Sequence, residues 1–453
     1  MKKLLTFLVM LIFGLTSNPL HAQWFPGSIG TTYNLSAVCI SEDNSSIVWA
    51  VGYDPSNFMN STLFKSSDNG LTWTTSSGFP FGFANPTSVY VMDSDNGLVC
   101  GVGGIISTTN GGSNWGYLYT SSDTIIIWNI AIGPLGSFWA IGNKVSISTG
   151  IGEALVLRSA IASPGSVNLK KMNLPSQYSN YQLTSLCVKD SNNCIISTST
   201  HNPTTMLKTT DGGIIWTEIT LQISLDRDIW ALVGDDYNND IMGVGGANGI
   251  STVIHSSDLG STWNIAYDSL NGGRLKSIGS PFGYITDTMY AVGSNGTIVK
   301  TTDRGVTWTP QNSGITIDLN SVSMAHHSSK TAIAVGDNGT NLRTTNGGVT
   351  SSDNEYFGTQ PNTFTLLQNY PNPFNPTTMI RFDLPSSGLV NLQILDVAGR
   401  IVRSFQFLHE EIGSHEILWD AKNNNGIPVS SGTYFYRATI NGTSLAKKML
   451  LLR

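Results

Sequence analysis

Between residues 24 and 350 the chain carries five arginines: Arg158, Arg227, Arg274, Arg304 and Arg343. A guanidinium matches a carboxylate bidentately, so arginines converging on one site would hold an acidic group. Arg304 falls inside a turn that recurs along the chain, and Arg158 and Arg343 fall beside the third strand of a repeated unit. That leaves Arg227 and Arg274 for loops. A metal reading fails on spacing. Asp236-Tyr237-Asn238-Asn239-Asp240 starts like a calcium loop, but Ile241 stands where glycine is needed and Ala247 where glutamate is needed. The polar runs at 93–97 and 189–193 are of the same kind, and all three read as hairpin turns. His326-His327 occupies such a turn too, and neither Cys nor His recurs at zinc-ligand spacing. No catalytic residue, metal or cofactor is assigned on this basis.

The scaffold that must position Arg227 and Arg274 is a repeat. Ser/Thr-x-Asp-x-Gly-x-x-Trp occurs as SSDNGLTW ending at Trp73, TTDGGIIW at Trp216, SSDLGSTW at Trp263 and TTDRGVTW at Trp308. The acids are Asp68, Asp211, Asp258 and Asp303; TTNGGSNW puts Asn110 in that place before Trp115, and TTNGGVTS has Asn346 for the acid and Ser351 for the Trp. Asp and Ser/Thr bond their own turn backbone, and Gly supplies positive φ, so this is a hairpin device with nothing poised for chemistry. Before each turn lies a strand ending in Val/Ile-Gly or a variant (49–52, 100–103, 139–142, 242–245, 290–293, 333–336), with CIIS at 194–197 as the odd member. Before that lies another short strand, at 35–40, 87–92, 126–132, 183–188, 228–233, 274–279 and 319–324. In one unit, at 163–168, only Gly165 keeps its place. With Ser163 as its acid position, the steps are 42, 53, 48, 47, 45 and 43 residues. Four strands per unit at this period read as propeller blades.

The turn resembles the Asp-box (BNR) repeat, and residues 24–350 resemble the photosystem II assembly factor-like group of Asp-box propellers. The expected fold class is all-β: a seven-bladed β-propeller plus a small C-terminal immunoglobulin-like β-sandwich. Trp24-Phe25-Pro26 stands as far before Val38 as Trp308-Thr309-Pro310 stands before Val322. Residues 24 to about 31 therefore read as the missing outer strand of the last blade, closing the ring so that no sheet edge stays free.

Residues 1–22 read as a signal peptide. Lys2 and Lys3 precede the apolar Leu4–Leu15, and Leu20-His21-Ala22 forms a cleavage site before Gln23. No later apolar run approaches the length of a membrane-spanning helix. Export makes disulfides permissible. Cys187 and Cys194 flank a turn and either bridge or, with Cys39 and Cys100, sit as small buried residues. Charged residues are 12% and the net charge is −6, which argues against a partner held through phosphates.

Residues 351–365 read as a linker. Residues 366–453 return to alternating strands, with Tyr370, Pro371, Asn372, Pro373 and Phe374 in a run that forces extended backbone and turns. With Asp396, Gly399, Arg400, Gly432, Tyr434, Lys447 and Lys448, this segment resembles the type A C-terminal sorting domain of the type IX secretion system. The resemblance implies export across the outer membrane, engagement of the type IX machinery, and a final place on the outer cell surface or in the medium.

Sialidases, sortilin-type receptors and xyloglucanases share the Asp-box. A sialidase needs three clamping arginines and a Phe/Tyr-Arg-Ile-Pro segment, which is absent. A xyloglucanase needs paired carboxylates across a cleft between two propellers, and this chain offers one. The expected function is non-catalytic binding of an extracellular protein or glycan by a monomer, with no nucleic-acid partner; the alternative is a sialidase-like or xyloglucanase-like surface glycoside hydrolase. In a four-stranded blade the box turns share a face with the first-to-second turns. The opposite face gathers the variable loops 52–62, 142–155, 198–206 and 245–252, where Tyr53, Phe58, His201, Arg227, Asp228 and Arg274 are the ligand-binding candidates.

Overall fold

The computed structural model describes residues 24–452, apart from 28, 77, 81, 134–136, 146–151, 160–168, 200–204, 220, 222–226, 236–237, 248, 271, 282–284, 327, 349–363, 370–371, 385–387, 411–412 and 441. The signal peptide, the third box and residues 351–363 of the linker lie outside these residues, while Thr365 pairs with Asp383 in the C-terminal domain.

The first part of the chain forms five four-stranded antiparallel sheets and one eight-stranded sheet. The eight-stranded sheet is two blades joined by the single pairing Ile126–Val102, so there are seven blades. Their inner strands are Asn34–Ile40, Ala84–Val91, Ile125–Gly133, Gln182–Val188, Asp228–Gly234, Leu275–Gly279 and Leu319–Met324. Each packs beside the next, and the first packs beside the last. The seventh blade takes its outer strand from the N-terminus: Phe25 pairs with Arg343 and Pro26 with Leu342.

Between neighbouring blades lies one apolar cluster per junction. The box tryptophans are set into these: Trp73, Trp115, Trp216, Trp263 and Trp308 each pack against the preceding blade. The seventh box lacks its Trp, and Trp24 fills that place. It is fully buried, meets Tyr290 of blade 6 edge-to-face at 5.1 Å, and would lie 3.5 Å from a side chain added at Gly348 of the seventh turn.

The box turn closes on itself. In blade 5 the Ser256 hydroxyl donates to Asp258 at 2.9 Å and accepts the Gly260 N–H at 2.8 Å. The same carboxylate accepts the Thr262 N–H at 2.7 Å and its hydroxyl at 2.6 Å, while Trp263 Nε1 donates to Gly260 O at 3.1 Å. Those bonds from Thr262 pull the Asp258 pKa down to about 2. The turns at Asp68 and Asp303 repeat this pattern. Each turn is also tied to the first-to-second turn of its own blade, as by Gly212 N–H to Asn192 O at 2.9 Å. A basic residue on the third strand often reaches the next blade's box carbonyl: Lys65 to Gly111, Lys208 to Leu259 and Lys300 to Gly347, each at 2.6 Å. The boxes are therefore structural fasteners on one face.

The Val/Ile-Gly glycines have a steric cause. A Cβ at Gly142 would lie 2.1 Å from Ile126 O, at Gly245 1.9 Å from Asp228 O, at Gly293 1.9 Å from Arg274 O and at Gly336 2.0 Å from Asp318 O. Opposite these glycines the inner strand presses in and takes one extra residue, a β-bulge. The extra residues are Ser36, Trp128, Thr184, Trp230, Lys276 and Asn320. Blade 2 slips further, between Ala84 and Ser88, and places Thr87 there. Blade 4 bulges with Thr198 in the glycine's place.

None of the four cysteines forms a disulfide. Cys187 pairs across with Ile195 and Cys194 with Val188. Side chains alternate along a strand, so Cys187 enters the cluster toward blade 5 and Cys194 the cluster toward blade 3. The bridge between them does not form; the reading as small buried residues holds for three, with Cys39 partly exposed.

Residues 365–451 form a three-stranded and a four-stranded sheet around one core containing Ile380, Leu392, Trp419 and Tyr436. Tyr370 and Pro371 lie outside the described residues. The remaining motif residues hold this fold together. Phe374 is buried and bonded through its backbone to Leu450 and Leu452. Pro373 is exposed beside it. Asn372 Oδ1 accepts the Leu450 N–H at 2.9 Å. Asp396 accepts the Arg400 N–H at 3.0 Å and its Nε at 2.7 Å around Gly399, whose φ is 77°. Tyr434, two residues after Gly432, donates to Ser430 O at 2.7 Å. Lys447 and Lys448 pair with Tyr436 and Phe435 on the last strand.

Trp24→Ala removes a fully buried indole from the closing junction. We expect it to cost on the order of 3–5 kcal/mol and lower the melting temperature by several degrees. Calorimetry that finds parental melting would contradict closure by the N-terminus.

Candidate functional site

The bulges begin each inner strand, on the face opposite the boxes and beside the second-to-third loops. Seven re-aimed side chains therefore ring one mouth of the central channel. At four positions the residue fastens the next blade. Ser36 donates to Pro86 O, Thr87 to Ile127 O at 2.5 Å, Thr184 to Ile229 O at 2.7 Å, and Asn320 Nδ2 to Leu35 O at 3.0 Å. In every case the acceptor is the residue just before the neighbour's own bulge. Blades 3, 5 and 6 break this rule with Trp128, Trp230 and Lys276.

The exceptions have other contacts. Trp128 Nε1 donates to Asn143 Oδ1 at 2.7 Å. In blade 5 the counterpart of Asn143 is Gly246, and Trp230 Nε1 is buried with no partner among the described residues. The Arg274 guanidinium stacks over the Trp230 ring at 4.9 Å. Lys276 Nζ donates to Asp318 Oδ2 at 2.9 Å and to Asn320 Oδ1 at 2.8 Å. Burial works against the Asp318 carboxylate, but Lys276 and the Asn295 N–H outweigh it and keep its pKa below the usual value. Arg274, Lys276, Ser294, Asn295 and Asp318 line an open groove of about 400 Å³ with Gly249 and Gly273 in its floor. A second groove of about 660 Å³ follows the closing segment and includes Ile29, Gly30, Ile315 and Asn338.

The candidates taken from the sequence do not converge. Arg227 is held against Asp268, and its NH1 donates to Thr252 at 2.7 Å. Burial opposes the Asp268 charge and the bonds from Arg227 and Thr252 override it, so its pKa stays low. Arg227 is thus built into blade 5, with 15% of its side chain exposed, whereas Arg274 is exposed at the mouth. Asp228 is half-buried opposite Gly246. Tyr53 is half-buried opposite Asn34, and Phe58 is exposed on the same outer hairpin of blade 1. His201 lies outside the described residues. The sequence reading missed Trp128, Trp230, Lys276 and Asn320. Their signal was available: aligned on the Val/Ile-Gly partner, two indoles, an ammonium and a carboxamide stand in a column with Ser36, Thr87 and Thr184.

Residues 374–444 match the FlgD Ig-like domain family. None of the curated proteins matches this chain in sequence. Among solved structures, "YCF48 bound to D1 peptide" is similar at 16% identity and a TM-score of 0.51, covering 71% of this chain and 96% of that one. YCF48 from Cyanidioschyzon merolae gives 18% identity and 0.48, covering 71% and 98%. PorZ, a surface component of the type IX secretion system of Porphyromonas gingivalis, gives 14% and 0.48; the match covers 90% of this chain and 58% of PorZ. At these identities the likeness shows the fold alone: a β-propeller with an immunoglobulin-like C-terminal domain. Among the described residues, no helix is long and apolar enough to cross a membrane.

Arg227→Ala leaves the Asp268 carboxylate partly buried without its cation. We expect it to lower stability by on the order of 1–3 kcal/mol. Arg274→Ala loses an exposed cation–π contact of about 0.5–1 kcal/mol. Denaturant titrations that reverse this order would contradict the two placements.

Proposed function

We propose that this chain is a non-catalytic binding protein, exported by the type IX route to the cell surface or medium, that holds an extracellular protein or glycan on the face opposite the box turns. The observation that carries the reading is the ring of bulged residues. A device that only builds the ring would repeat from blade to blade, as the boxes do. This one fastens blades in four places and presents two indoles and an ammonium in the other three. Selective recognition needs such unlike groups on a rigid frame. The leader pattern at 1–22 and the motif set in 366–453 support the export route.

The test compares the full chain with one ending at residue 350, in a bacterium that carries a type IX system. The full chain is expected outside the cell and the shortened one in the periplasm. Surface display of the shortened chain at the parental level would overturn the export reading. Glycan and peptide arrays probed with the secreted protein test the binding half; a protein that melts normally and binds nothing on either array would overturn it.

A further inference from the structure

The blade-to-blade fastening makes the exceptions informative. Ser, Thr or Asn at the bulge satisfies a backbone carbonyl of the next blade and stiffens the ring. Trp128, Trp230 and Lys276 give up that bond. Lys276 joins blade 7 through the side chains of Asp318 and Asn320 instead, and Trp230 meets blade 6 through Arg274, so charged groups stand at the mouth where four other blades have a carbonyl bond. Departures from a local rule are expected at functional or strained sites. Lys276 and Arg274 line one groove, and Trp230 on the adjacent blade bears on it through the Arg274 guanidinium stacked over its ring.

We infer that this groove binds a carboxylated sugar, with Arg274 and Lys276 facing the carboxylate and Trp230 positioning Arg274. The inference rests on the binding function proposed above and names the ligand class of that face. Stacking over Trp230 restrains the otherwise flexible guanidinium, and its fork suits a carboxylate. The Lys276 ammonium adds a second positive charge, shared with Asp318 and Asn320. Ser294, Asn295 and Asp318 supply the short, planar or hydroxyl partners that pyranose hydroxyls take. Gly249 and Gly273 leave the floor without side chains.

An acidic peptide fits less well. A flexible peptide offsets the cost of being ordered by burying apolar anchors. Among the described lining residues, Ala247 carries the one apolar side chain. A sugar ring is already rigid and gains from polar contacts in an open groove.

The test is calorimetry on the full secreted protein with three probes: tetragalacturonate, its carboxyl-reduced neutral counterpart, and tetraglutamate. Tetragalacturonate should bind, with the neutral sugar and tetraglutamate each at least tenfold weaker. Arg274→Gln and Lys276→Gln, both on exposed or half-exposed side chains, should each weaken tetragalacturonate at least tenfold and leave the neutral sugar nearly unchanged. Trp230→Leu should collapse the preference for the acidic over the neutral sugar; a merely structural role for the indole would lower the melting temperature without changing that ratio. Equal binding of the neutral sugar, tighter binding of tetraglutamate, parental affinity in Arg274→Gln, or no binding of tetragalacturonate would each overturn the inference. Array binding of some other ligand in that event would leave the broader binding reading standing.

Discussion

Everything at the channel mouth depends on one close approach. Where the inner strand of a blade meets the Val/Ile-Gly glycine of the second strand, a carbonyl oxygen lies within about 2 Å of where a Cβ would stand at Gly142, Gly245, Gly293 or Gly336. The glycine removes the clash, the inner strand closes in, and one residue is squeezed out of register. That residue is the one that faces the next blade. The glycine accompanies the bulge in the other blades, blade 4 forms it around Thr198, and the bulge sets which groups stand at the mouth.

The opposite face is governed by a different economy. The box turns at Asp68, Asp258 and Asp303 satisfy their own carboxylate, hydroxyl and indole N–H internally, and each is tied to its neighbour turn. The ring is then closed by an indole supplied from the far end of the chain, Trp24, in the position the seventh box leaves vacant.

The blade count and the closing strand were legible in the sequence because they are periodic or offset-matched: Trp24 repeats the spacing of Trp308. The Val/Ile-Gly motif was legible as a pattern, but its consequence was not, since the bulge is a property of two strands meeting. The same limit explains Arg227. Its partner Asp268 is 41 residues away on the outer strand of the same blade, so the sequence displays a loop cation where the structure has an internal ion pair. The cysteines failed for a related reason: proximity along the chain ignored the alternation that sends Cys187 and Cys194 to opposite faces. In the C-terminal domain the quoted motif residues turn out to be the closures of a sandwich, with Tyr434 and Asp396 each satisfying local backbone.

The central claim is that the bulge position supplies recognition groups where it does not spend its side chain on the next blade's carbonyl. Lys276→Thr tests it directly, because threonine at this position fastens the next blade in blades 2 and 4. The account predicts a folded variant, in which a carbonyl bond replaces the Asp318 and Asn320 contacts, with affinity for tetragalacturonate lost at least tenfold. A folded variant that binds as the parent does would contradict it.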